Sequence, residues 1–206
     1  MKNFFIDYKT VLSKIRTSNT EETIQTLYHI LPEKWRKAYQ EMTPTSTNII
    51  QFNYNNFEFL FDYSSELVMK GIISHNQAVE DRVVAVFGRS QPSSIKRDAN
   101  RIKGFLGLSS KNFSNGYDKG HFIGHALGGG LDVNLFPQKS DVNRGWSEKG
   151  RLYRKMERYC ANNIGTFCFS RPLYYTSHWV PDAIEYGVLM STLELWVEIF
   201  DNYNVE

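Results

Sequence analysis

The residues between 116 and 157 carry most of the unusual chemistry in this chain. One piece reads Gly116-Tyr117-Asp118-Lys119-Gly120-His121-Phe122-Ile123-Gly124-His125, and a second reads Asn134-Leu135-Phe136-Pro137-Gln138-Lys139-Ser140-Asp141-Val142-Asn143-Arg144-Gly145. His121 follows a glycine, so its backbone can bend tightly while the imidazole projects into a site. A neutral histidine can take a proton from water near neutral pH. Lys119 and Arg144 are cations suited to balancing charge on a pentavalent phosphate. Asn143 offers a neutral carbonyl oxygen. Mg²⁺ takes oxygen ligands and keeps several waters, so one amide can be its main protein contact. Such a metal has open positions for a phosphate oxygen. Base, hard cation and basic surroundings together fit phosphodiester hydrolysis.

The order of these residues resembles the DNA/RNA non-specific endonucleases, whose signature is Asp-Arg-Gly-His and whose core is a ββα-metal finger. The resemblance covers residues 82–160, thins over 161–206 and fails over 1–80. It implies that His121 is the general base, that Asn143 binds the metal, and that Gln138 and Asn134 are polar residues of the substrate site. It implies that Asp118 organises the finger. Arg89, which lies 32 residues before His121 and follows a strand, resembles an upstream arginine that contacts phosphate.

The chain departs from that pattern twice. Lys119 replaces the usual arginine, keeping the charge but losing the bidentate fork. The second departure concerns the glutamate that follows the metal asparagine on a helix and hydrogen-bonds metal-bound water. Here Glu148 is five residues after Asn143 and Glu157 is fourteen after, within Arg154-Lys155-Met156-Glu157. An unbroken helix of fourteen residues would span about 21 Å, too far to share one metal. Either Gly145 to Gly150 folds back and Glu157 serves, or Glu148 does; Glu157 is preferred.

Other patterns have blander readings. His121, His125, Cys160, Cys168 and His178 could be combined into a zinc site on paper. No CxxC pair supports it, so buried free thiols are expected. His125 is read as packing near the site. The alternating aromatics of 52–63 are expected in a core, although they could stack on bases.

The elements that must position these residues are an α+β set. Helical spacing of Phe4, Val11, Leu12 and Ile15 opens the chain. A second helix is capped by Thr20, and Pro32 ends it or opens a third, near 33–42. A hairpin follows, with Asn55-Asn56 between alternating strands. A helix is expected over 64–79, a buried strand over 82–87, and a stretch rich in Gly, Ser and Asn over 90–134. A helix near 148–161 and strands over 166–175, 183–190 and 193–200 complete a mainly antiparallel sheet flanked by helices. Two parts are expected: a helical region plus hairpin over 1–80, regulatory or integrated in the sheet, and a nuclease domain over 81–206.

The chain has 206 residues and a formal net charge of +2, with 41% hydrophobic and 15% aromatic residues. That composition excludes a disordered or low-complexity chain. The charge is uneven. Residues 95–158 hold 13 Lys+Arg against 6 Asp+Glu, whereas 159–206 hold 1 against 6. Clustered cations can neutralise phosphates. No stretch approaches a membrane span and no secretory signal is visible, so a chain made in the cytoplasm is expected, with signal-independent export left open. The expected activity is a metal-dependent endonuclease acting on DNA and on RNA, with Mg²⁺, Mn²⁺ or another hard divalent cation. A toxin or defence setting with an inhibitory or immunity partner is expected. The alternatives are a non-catalytic nucleic-acid-binding module on the same finger and a hydrolase of small phosphodiesters.

Overall fold

The computed structural model describes residues 5–93 and 116–203. Phe4 and the Gly/Ser/Asn-rich residues 94–115, five of them cations, lie outside the described residues.

Helix α1 (Tyr8–Ser13) is capped by the Asp7 carboxylate, which accepts from the Thr10 N–H. Helix α2 (Thr20–Met42) is capped by Asn19, one residue before the expected Thr20; the Asn19 side chain accepts from the N–H groups of Glu21 and Glu22. Pro32 does not end this helix. It removes one N–H donor, but the buried face runs through it as Ile24, Leu27, Leu31, Trp35 and Tyr39. Tertiary packing along that face outweighs the lost hydrogen bond.

Strands β1 (Ile49–Tyr54) and β2 (Phe57–Asp62) form the hairpin. Its two-residue turn uses Asn55 at φ +50° and Asn56 at φ +62°, the left-handed conformation that asparagine tolerates. Helix α3 (Ser64–Met69) is much shorter than the expected 64–79. The chain turns at Lys70–Gly71 and re-forms a single 3₁₀ turn at His75–Gln77, held by the Ser74 and Gln77 side chains. Strand β3 (Arg82–Arg89) is the expected buried run.

Strands β4 (Tyr117–His121) and β5 (Leu135–Lys139) make a separate antiparallel pair. Helices α4 (Ser140–Asn143) and α5 (Glu148–Asn162) follow, then β6 (Phe167–Leu173), β7 (Ala183–Leu189) and β8 (Leu195–Asp201). The main sheet has the order β1-β2-β3-β6-β7-β8, with every neighbouring pair antiparallel. The protein is therefore α+β, with a mainly antiparallel sheet flanked by helices. The expected boundary at 80/81 falls between β2 and β3, which are directly hydrogen-bonded neighbours.

Strand periodicity gives the sheet two apolar faces. On one, α2 seats Trp35 between Phe87 and Phe169, with ring centroids 5.2 and 5.0 Å away. On the other, α5 seats Tyr153 against Tyr186 and Phe200, at 5.2 and 5.0 Å. Cys160 on α5 and Cys168 within β6 are both buried and free. No described helix is long and apolar enough to cross a membrane.

Candidate active site

Strands β4 and β5, followed by α4 and α5, form a ββα unit on the α5 face of the sheet. Several polar groups lock it. The Asn134 amide is fully buried: its Oδ1 accepts from the Ile123 N–H at 3.0 Å, and its Nδ2 donates to the carbonyls of Ile123 and Gly130 at 2.9 and 2.8 Å. Phe122 stacks on Phe136 at 4.4 Å. The Tyr153 hydroxyl donates to the His121 carbonyl at 3.3 Å, tying α5 to the end of β4. Buried Asn202, just after β8, accepts from the Lys139 N–H at 2.8 Å and donates to Pro137 and Pro181 carbonyls at 2.9 and 2.8 Å.

The corner between α4 and α5 answers the spacing problem. Gly145 adopts φ +74°, a left-handed bend open to glycine, and the Trp146 N–H donates back to the Asp141 carbonyl at 2.8 Å. Ser147 then caps α5 by accepting from the Gly150 N–H at 2.9 Å. The chain reverses, and α5 brings Glu157 back beside the His121 loop. A side-chain carbon on Gly124 would lie 2.5 Å from Glu157 Oε1, so only a glycine admits the carboxylate this closely. Glu148 instead borders a different cavity with Lys149 and Lys155.

His121, Asn143, Glu157, Lys119, Arg144 and Gln138 line one cleft of about 660 Å³. Four elements, β4, β5, α4 and α5, therefore converge there. Asn143 donates its amide to Asp118 Oδ2 at 3.3 Å, which turns the carbonyl end of the side chain to other partners. Arg144 donates twice to Asp118, from Nε at 2.6 Å and Nη2 at 2.5 Å. Those bonds hold the Asp118 carboxyl below its ordinary pKa. Burial lowers the Lys119 ammonium. Burial pushes the Glu157 carboxyl up, although Arg154 lies 3.3 Å away and opposes the shift. Gln138 is 2% exposed at the cleft floor, opposite Asp118 across the strand pair.

Two expected site residues stand elsewhere. Arg89 ends β3 on the α2 side and pairs with Glu21 at 2.6 Å, so it does not line the cleft. Asn134 cannot contact substrate as expected, because its buried amide is committed to the loop it locks. Arg151, Arg154 and Arg158, none of them an expected site residue, also line the cleft. Their signal was available: spacings of three and four put them on one helix face. His125 lines the cleft too, with Ser93 Oγ 3.2 Å from its ring. Asn202 had no sequence signal, since its role depends on where β8 ends.

Among the described residues, no three His, Cys, Asp or Glu side chains gather as metal ligands. The oxygen donors present, the Asn143 carbonyl and the Glu157 carboxylate, fit a hard cation held by few protein ligands and water.

No family model matches the chain, and no curated protein matches it in sequence. Among solved structures it is similar to NucA from Streptococcus agalactiae with a magnesium ion bound, at 14% identity, over 82% of this chain and 91% of that one, with a TM-score of 0.43. It is also similar to the Sda1 nuclease with a bound zinc ion, at 15% identity over 77% and 76%, with a TM-score of 0.37.

Proposed function

We propose that this chain is a metal-dependent endonuclease that hydrolyses phosphodiester bonds of DNA and RNA with little sequence specificity. The observation that supports it most is the convergence of His121, Asn143 and Glu157 in one cleft lined by Lys119 and four arginines. His121 takes the proton from the attacking water. Lys119 and Arg144 contact the phosphate and balance its growing negative charge. Asp118 orients Arg144 and the Asn143 amide together, so one carboxylate sets both. The Asn143 carbonyl and the Glu157 carboxylate, which line the same cleft, would hold a hard divalent cation such as Mg²⁺, which supplies Lewis-acid stabilisation of phosphate charge. Phosphate contacts carry no sequence information, hence the expected lack of specificity. An unspecific nuclease would harm the cell that holds it, so we propose a toxin or defence role restrained by an inhibitory partner.

The test is plasmid and RNA cleavage in Mg²⁺ by wild type and His121→Ala. The variant should lose about 10²–10⁴-fold in rate while keeping its melting temperature and its affinity for DNA. EDTA should stop wild-type cleavage. Unchanged cleavage by His121→Ala would sink the assignment. Binding without any cleavage would point to a non-catalytic nucleic-acid module.

A further inference from the structure

A groove of about 1100 Å³ lies on the other flank of α5. It runs between α1, α5 and the β7–β8 turn. The cleft and the groove share a wall, and Arg158 borders both. Three cations line the groove, Lys9, Lys155 and Arg158, against one carboxylate, Glu194. The floor between them is apolar and aromatic, with Tyr159, Leu193 and Trp196. Lys155 Nζ stands 5.6 Å from the centre of the Trp196 ring, so cation and aromatic surface occur side by side.

A second observation falls in the same place. Leu193 adopts φ +63° in the β7–β8 turn, a conformation that costs a branched L-residue and that glycine takes freely. The turn is closed by Leu193 N–H to Met190 carbonyl at 2.9 Å and Met190 N–H to Glu194 carbonyl at 2.8 Å. Neither bond needs a leucine side chain. A strained backbone held where glycine would be easier points to a use for that side chain, and it lines the groove.

Resting on the nuclease reading, we infer that the groove is a second binding site, for an unpaired strand of the nucleic acid as it leaves the cleft. Cations beside aromatic and apolar surface are the combination that holds single strands: phosphates meet the cations and base faces lie on the rings. Arg158 makes the path continuous from cleft to groove. The site would lengthen the contact with substrate without reading sequence, and would favour unpaired strands over duplex.

The test separates the groove from the cleft. Binding of labelled oligothymidylates of about 20 and about 3 nucleotides is followed by fluorescence anisotropy in EDTA, where no cleavage is expected. Hydrolysis of bis(p-nitrophenyl) phosphate in Mn²⁺ reports the cleft alone. Lys9 and Lys155 are exposed, so Lys9→Glu/Lys155→Glu should fold. It should weaken the long strand about tenfold and leave the short strand and the small diester unchanged. Leu193→Gly should weaken the long strand about threefold without lowering the melting temperature. Equal long-strand affinity in wild type and both variants overturns the proposal, including the case in which the groove takes an acidic polypeptide instead. If wild type hydrolyses neither the diester nor DNA, the nuclease reading fails, while the anisotropy still decides the groove.

Discussion

Two arginine–carboxylate pairs of nearly equal length hold different parts of this molecule. Arg171 and Glu185 are register partners on β6 and β7, 2.6 Å apart, each side chain 3% exposed. The Tyr8 hydroxyl donates to the same Glu185 oxygen, and Trp35 Nε1 donates to Tyr8 at 3.0 Å. Burial pushes the Tyr8 phenol well above its usual pKa, so it stays a donor. This pair ties α1 and α2 to the sheet. Arg144 and Asp118 are as close, but the arginine is half exposed, at 50%. Its guanidinium lies at the cleft, with Trp146 stacked 4.7 Å away. The difference is solvent. The buried pair has no water to replace a lost partner, so it acts on stability. The exposed pair can exchange its partner for a phosphate at little cost, so it acts on the site.

Breaking each side of this comparison gives unequal results. Arg171→Ala leaves Glu185 a buried charge without its guanidinium and should cost about 3–5 kcal/mol of stability. Guanidinium chloride unfolding measures it. Cleavage well below the unfolding transition should hardly change, because the pair lies on the α2 side of the sheet.

Glu157→Gln probes a carboxylate between these extremes, 17% exposed and raised by burial. It should slow cleavage about 10–100-fold, as expected for a residue that supports a metal. A raised folded pKa means the folded state binds its proton more tightly than the unfolded chain. Stability is therefore greatest below the ordinary carboxylate range and is lost as pH rises through the raised value. Glutamine removes that loss. The variant should melt higher than wild type at neutral pH, with a flatter pH profile, while being less active.

Asp118→Asn sharpens the exposed side. Arg144 depresses the Asp118 pKa, so the pair stabilises above the ordinary carboxylate range and is lost as pH falls through the depressed value. Solvent screening keeps its contribution to stability small at neutral pH. Cleavage should fall several-fold because Arg144 and Asn143 lose a common anchor. A stability loss as large as that of Arg171→Ala would erase the distinction between the two pairs.

Local patterns announced much of this arrangement. Alternation marked the hairpin, and Asn55-Asn56 marked its turn, because both signals are local. The sequence of α2 misled, since Pro32 reads as a breaker until the sheet supplies a partner for the whole apolar face. The helix expected over 64–79 misled too, because half its residues had no surface to pack on. The basic middle of the chain divides in the structure. Arg151, Arg154 and Arg158 line the cleft, five cations lie outside the described residues, and Lys155 turns to the groove.

Residue order alone marked the reactive groups: a histidine after glycine, an amide nine residues after Asn134, and cations around both. It also determined the periodicities that make an antiparallel sheet with two apolar faces. Packing between elements sets which of these residues meet. Gly145 reverses the chain so that Glu157, rather than Glu148, stands beside the His121 loop. The end of β3 turns Arg89 to Glu21 and away from the cleft. Burial commits the Asn134 amide to the loop it holds. The physical reason is common to all three: side-chain direction and access to water depend on packing between elements, which neither spacing nor residue type encodes.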